Sequence, residues 1–325
     1  MPSTTALTLL ASGLASLASA YTQVNIGSPF MYKNIDPIVF PNKYGKSHLH
    51  SFFGSDAVTI GTKKSSTLRE GCTNAENIND LSVYWVPTLL YQNGGDWEPV
   101  PVMRFSAYYG LGDNGPDIPF PENFKMVAGD TKATSKETMP AAASIEWFCE
   151  GDEASALGEN GFPTSTCSTH LQTLLYFPQC VNTETLEYAY KDGEAGSYRE
   201  CPSGMQAVPQ LRFSIRYELR KVLPNGWSGE APLRLACGNA WCSHGDFFNG
   251  WTPEGGKALV LASSDKRKFQ DLIGQGETMN CKQADADPKH GKSTYAESAA
   301  ILAKSAAKRD SISWGWSSRD RMAWV

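Results

Sequence analysis

The chain has 325 residues and a formal net charge of −5 at pH 7, with 19% charged and 11% aromatic side chains. That length suffices for one large core or two small ones, and the mild, dispersed acidity excludes the basic stripe of a nucleic-acid binder. Beyond the first twenty residues no run is long and apolar enough to cross a bilayer, so no membrane span is expected.

The first segment, "MPSTTALTLLASGLASLASA", is small and apolar and ends in Ala18-Ser19-Ala20, the A-x-A pattern of a cleaved secretory signal. Residues 1–20 are expected to be removed, leaving a secreted, extracellular chain that begins near Tyr21. The eight cysteines fit that compartment: an even count in a secreted chain reads as disulfides. None forms a C-x-x-C pair, which argues against a zinc ribbon or a thioredoxin-type motif. Short spacings suggest Cys149–Cys167, Cys180–Cys201 and Cys237–Cys242.

From residue 21 to 283 short strand-like runs recur between Gly, Pro and Asn: "DAVTIG", "LSVYWVPTLLYQ", "VPVMRFSAYYG", "SIEWFCE", "LQTLLYF" and "LRFSIRYELR". In the last of these, Leu211, Phe213, Ile215, Tyr217 and Leu219 share one face. Arg212, Ser214, Arg216, Glu218 and Arg220 share the other, which is the pattern of a half-solvated antiparallel strand. Helical periodicity is weak until "GKALVLASSDKRKFQDLIGQG". The expected fold is all-β with a minor helical part: one disulfide-stapled antiparallel β-sandwich or jelly-roll-like domain. Residues 284–325 form an Ala/Ser/Lys-rich tail, with a frayed helix expected around 295–308 and a Trp-rich end.

Two short stretches echo each other. "KSHLHSFFGSD" (46–56) and "CSHGDFFNGW" (242–251) both read Ser-His, a polar residue two places on, Phe-Phe, then Gly. In a strand, residues i and i+2 project to one face, so His48 would point with His50, and His244 with Asp246. If the two strands were neighbours, three imidazoles and a carboxylate would converge. Two chemistries fit. A histidine oriented by a carboxylate exchanges protons near neutral pH. Alternatively, His48, His50 and His244 bind a divalent transition metal and leave room for water or substrate. Asp56 and Asp36 are further carboxylates within reach in sequence. The paired phenylalanines read as core packing. The flat rings of Tyr84, Trp85, Trp241 and Trp251 are candidate sugar contacts, and Arg69 is a candidate clamp for an anionic sugar or a partner for a carboxylate.

"NIDPIVFPNKYGKSHLHSFFGSDAVT", "STLREGCTN", "SVYWVPTLLYQ", "FKMVAGD", "LLYFPQC" and "SHGDFFNGW" resemble successive motifs of a fungal secreted family. It is the domain-of-unknown-function family numbered nineteen-ninety-six, often found beside WSC carbohydrate-binding modules. The resemblance covers roughly residues 30–255 and places His48, His50, Arg69, Tyr84, Trp85, His244, Asp246 and Trp251 on distinctive motif positions. It implies an extracellular protein linked to cell walls or polysaccharide and supplies no reaction.

The resulting expectation is a carbohydrate-active protein that cleaves a cell-wall or plant polysaccharide. His50 or His244 would be the base, Asp246 its orienting partner, and the aromatics the sugar platform. The frames hold more histidine than carboxylate, which favours lyase-type or metal-assisted chemistry over a glycosidase carboxylate pair. A non-catalytic wall-binding protein and a secreted metal-binding protein are the alternatives.

Overall fold

A computed structural model of the chain describes residues 21–110, 115–153, 156–191, 200–264 and 271–314. The expected signal segment and the end of the Trp-rich terminus lie outside these residues. The strands are β1 (Thr22–Ile26), β2 (Met31–Lys33), β3 (His50–Gly54), β4 (Val83–Pro87), β5 (Leu89–Asn93), β6 (Asp96–Pro99), β7 (Val102–Tyr109), β8 (Lys125–Gly129), β9 (Glu146–Cys149), β10 (Leu171–Tyr176), β11 (Cys180–Val181), β12 (Tyr188–Ala189), β13 (Gln206–Ala207), β14 (Leu211–Tyr217), β15 (Leu233–Leu235) and β16 (His244–Phe248). Four α-helices accompany them: α1 (Ser65–Leu68), α2 (Leu219–Val222), α3 (Pro253–Ser264) and α4 (Tyr295–Trp314).

Two five-stranded antiparallel sheets, in the orders β1-β7-β14-β10-β9 and β2-β3-β4-β16-β8, pack face to face as a β-sandwich. Aromatic rings interlock between them: Phe53 meets Phe105 at 4.7 Å between centroids, and Tyr84 meets Phe213 at 5.8 Å. Burying one such ring contributes roughly 1.5–3 kcal/mol, so this layer carries much of the fold's stability.

The second sheet is covered on both faces. Every residue of β3, β4 and β16 is buried. On its far side Phe52, Val83, Trp85 and Phe248 pack against Ile35, Val58 and Ile60 from the loops that cross it and against Leu68 of α1. Each Phe-Phe pair therefore sends one ring to each core. The crossing loops explain why "DAVTIG" is not a strand. Asp56 accepts the Cys72 N–H at 2.7 Å and the Ala284 N–H at 2.8 Å, turning the chain so that Val58 and Ile60 lie down on the sheet. The strand at Leu211 also ends early, at Tyr217; Leu219–Val222 makes one helical turn that stops before Pro224.

The disulfides are Cys149–Cys167, Cys180–Cys201 and Cys237–Cys242, as the spacings suggest, and Cys72–Cys281. The last of these fastens the segment that follows. Lys33 donates to Asp285 at 2.6 Å and the Ile60 N–H donates to Asp287 at 2.9 Å. The Glu297 N–H donates to Thr294 Oγ1 at the start of α4, in a T-x-x-E cap. Tyr295 lies against the Arg234 guanidinium.

Candidate metal centre

His50 and His244 stand on strands that are not neighbours. β4 runs between β3 and β16, and His50 is opposite Pro87 while Asp246 is opposite Trp85. His50, Pro87 and His244 therefore form one row across three strands, on the face that also carries Phe52 and Trp85. Strands are spaced about 4.8 Å apart, so the two histidine backbones lie about 10 Å apart. Two imidazoles reach across that gap because the residue between them is the short, compact Pro87.

His48, two residues before β3, completes the cluster. Its Nε2 is 3.2 Å from His244 Nε2, and His50 Nε2 is 3.3 Å from the same atom. His50 is 0% exposed and His244 3%, while His48 is half-buried and forms the solvent edge. Burial pushes the His244 imidazole down to about 4, and it holds His48 and His50 well below the ordinary histidine value, with the neighbouring imidazoles adding to the effect. All three are neutral at pH 7.

Their tautomers follow from their outer partners. His50 Nδ1 lies 3.1 Å from the Ile35 carbonyl and His244 Nδ1 lies 2.8 Å from the Cys242 carbonyl. A carbonyl only accepts, so each Nδ1 carries the proton and each Nε2 is a bare lone pair. Two lone pairs facing each other at 3.3 Å repel. His48 can donate its Nε2–H to one of them, and a cation at the centre satisfies all three. A backbone carbonyl on Nδ1 is also what fixes ring orientation in metal-bound histidines.

β16 reaches this position because of two glycines. A Cβ on Gly245 would come within 2.9 Å of Leu175 and Phe213, so only glycine lets the strand lie this close to the opposing sheet. Gly129, opposite His244 with φ +88°, would bring a Cβ to 2.3 Å from the Ser243 carbonyl. Asp130 follows directly, and its charge partly offsets the effect of burial on His244. Asp130 ends the "FKMVAGD" stretch and was not among the residues singled out from sequence; its place after a glycine facing the second histidine frame was the available signal.

Asp246 shares the face of His244 but hydrogen-bonds to no histidine. It is 1% exposed, and among the described residues neither carboxylate oxygen has a partner. The indole Nε1 of Trp85, opposite it in register, is likewise unpartnered. Burial raises the Asp246 carboxyl well above the usual carboxylate range, and the nearby Asp36 charge raises it further. Asp36 itself accepts the Ile38 and Val39 N–H groups at 2.9 and 2.8 Å, and burial raises it too. Carbonyls, not these carboxylates, orient the imidazoles.

The other candidates lie apart. Tyr84 is between the sheets, its hydroxyl donating to Asp80 at 2.6 Å and lying 2.6 Å from that of Tyr109. Trp85 stacks on Phe52 in the outer core. Trp251 is buried, with its indole N–H donating to the Tyr109 hydroxyl at 3.2 Å. Arg69 pairs with Glu122 at 2.9 Å and donates to the Trp251 carbonyl. Trp241 is half-buried and borders a cleft of about 830 Å³ with Met139, Phe148 and Leu157. Trp147 lines the same cleft, and its indole N–H donates to Ser243 at 2.9 Å, directly before His244.

The family model described as a domain of unknown function (DUF1996) matches residues 36–251, well over half of the chain, and both histidine frames fall inside the match. No curated protein and no solved structure matches the chain.

Proposed function

The chain belongs to the DUF1996 family, and we propose that it is a secreted, metal-dependent enzyme that cleaves a cell-wall polysaccharide, with His48, His50 and His244 as the metal ligands. The observation that carries this reading is the spacing of the imidazoles. Zinc binds histidine nitrogen at about 2.0–2.1 Å, and a tetrahedron of that size separates its ligand atoms by about 3.3 Å. The two nitrogen pairs lie at 3.2 and 3.3 Å. Three neutral imidazoles suit zinc and its transition-metal neighbours and leave one position open.

An ion held there polarises water or a substrate oxygen at neutral pH. His48, at the solvent edge, marks the side from which substrate approaches. Asp246, raised well above the usual carboxylate range by burial, is a carboxyl suited to giving up a proton within the same layer. The cleft beside Trp241 offers an aromatic surface of the kind that holds sugar rings. Secretion is supported by the four disulfides and by the A-x-A pattern at Ala18–Ala20. Polysaccharide as substrate draws on that cleft and on the extracellular habit implied by the resemblance.

Elemental analysis of purified protein tests the first half. Stoichiometric zinc, or uptake of zinc after chelation, is expected, with loss in His50→Ala and His244→Ala. Incubation with a panel of fungal and plant polysaccharides, with and without chelator, tests the second. Mass spectrometry of the products separates a lyase, which leaves an unsaturated or anhydro end, from a hydrolase. Protein that takes up no metal overturns the centre; metal-loaded protein that cleaves nothing in the panel overturns the enzymatic reading alone.

A further inference from the structure

The opposite side of the sandwich carries two arginines that have no ion-pair partner among the described residues. On the outer face of the first sheet, Arg104 stands directly across from Arg216, and Tyr108 across from Arg212. Like charges directly opposite on neighbouring strands destabilise a sheet unless an anion intervenes. Arg216 has one: Glu150 takes it in a two-point bond at 2.7 and 2.5 Å. Arg104 and Arg212 have no ion-pair partner among the described residues. Of the acidic side chains of this face, Glu146 and Glu150 sit toward its β9 edge, and Glu76 sits at the β1 edge, where it accepts from Asn25 at 3.0 Å; none is ion-paired to Arg104 or Arg212.

Arg212 is also held in place. Its guanidinium lies 4.2 Å from the centre of the Tyr108 ring and 5.6 Å from that of Tyr176, and it donates to the Tyr176 hydroxyl at 3.4 Å. Stacking fixes the plane of the guanidinium, and its buried Nε has no hydrogen-bond partner among the described residues. The floor between the arginines is polar and satisfied within itself, with Gln172 donating to Ser214 at 2.7 Å and Ser106 to Asn25 at 2.9 Å.

We infer that this face binds an extended, carboxylate-bearing polysaccharide. Arg104 lies level with Arg216, four residues along from the row of Arg212, which places the two unpaired cations about 14 Å apart along the strands. That separation suits successive charges on a polymer rather than one small anion. The half-buried ring of Tyr176 beside Arg212 offers an apolar surface to a sugar ring. A nucleic acid is disfavoured, because two free cations on a chain of net charge −5 neutralise little of a phosphate backbone. The surface lies on the sheet opposite the histidines, so the inference goes beyond the proposed metal centre and does not rest on it.

Affinity electrophoresis of the full chain through gels containing polygalacturonate tests it, with dextran and poly(U) gels run in parallel. Retardation by polygalacturonate alone is expected, weakening as salt rises. Arg104→Ala combined with Arg212→Ala should lower the affinity at least tenfold. Arg212→Lys, which keeps charge but loses the stacked fork, should lower it by less. His50→Ala should bind like the wild-type chain, which separates this surface from the metal centre. Absence of retardation, equal retardation in dextran, stronger retardation in poly(U), or wild-type binding by the double variant would each overturn the proposal. Circular dichroism matching the wild type confirms that the variants are folded.

Discussion

His50 and His244 face each other over Pro87, Nε2 to Nε2 at 3.3 Å, with both protons drawn to the opposite side of their rings by backbone carbonyls. Neither atom has a proton to offer the other. Such a pair is stable in a buried site when a cation lies between, and several consequences can be measured.

Removing a bound ion should lower stability. A ligand present at a hundred times its dissociation constant stabilises by about 2.7 kcal/mol, worth about 4 °C in a domain of this size. Calorimetry before and after chelation should show a drop of that order, restored by zinc. His244→Ala should show no difference between the two conditions. An unchanged Tm on chelating metal-loaded wild-type protein would contradict the centre.

Gly245→Ala tests whether close approach of the sheets positions the site. The added methyl meets Leu175, Phe213 and Phe177 at 2.9–3.0 Å. Overpacking of this kind costs about 1–3 kcal/mol, and relief by shifting β16 would move His244. Urea denaturation should show the loss, and zinc affinity should fall by about tenfold or more. A variant with unaltered stability and affinity would show that the strand does not depend on this contact.

Asp80 gives a pH signature independent of the histidines. Burial raises its carboxyl to about 6 in the folded protein, against about 3.9 in an unfolded chain. The folded state therefore favours the protonated form. Its contribution is most favourable below about pH 4, is lost as pH rises toward 6, and is constant above that. The difference amounts to about 3 kcal/mol at neutral pH. Asp80→Asn removes the titration. Its stability relative to wild type should rise between pH 4 and 6.5, measured by urea denaturation. A constant difference across that window would rule the effect out.

Trp241→Ala tests the cleft beside the centre. If the cleft holds substrate, KM for a cleaved polysaccharide should rise several-fold, while zinc content and Tm stay near wild type. Unchanged KM would move substrate elsewhere.

The histidine frames were legible because i and i+2 share a face in any strand. Their meeting was not legible in detail, since nothing local announces that β4 intervenes or that Pro87 is the residue spanned. Trp85, Tyr84 and Trp251 illustrate a second limit. An aromatic beside polar residues reads as a surface platform, but β4 is buried on both faces and Trp251 packs on the buried Tyr109. The covering layer responsible comes from loops, whose apolar residues Ile35, Val58 and Ile60 carry no strand or helix period. Short cysteine spacings suggested local bridges, whereas Cys72–Cys281 spans 209 residues and has no local signal.

The carbonyl that orients His244 belongs to Cys242, which is tied to Cys237 five residues earlier. The bridge closes the loop leading into β16, so the acceptor is held in place once those thiols are oxidised. If the proposed centre binds metal, its maturation would have an order: oxidation first, metal capture second. A chain still in a reducing compartment would present His244 on an untied loop and compete poorly for metal there. Loading would fall to the secretory route or the exterior, and the ion carried would be set by what those compartments supply.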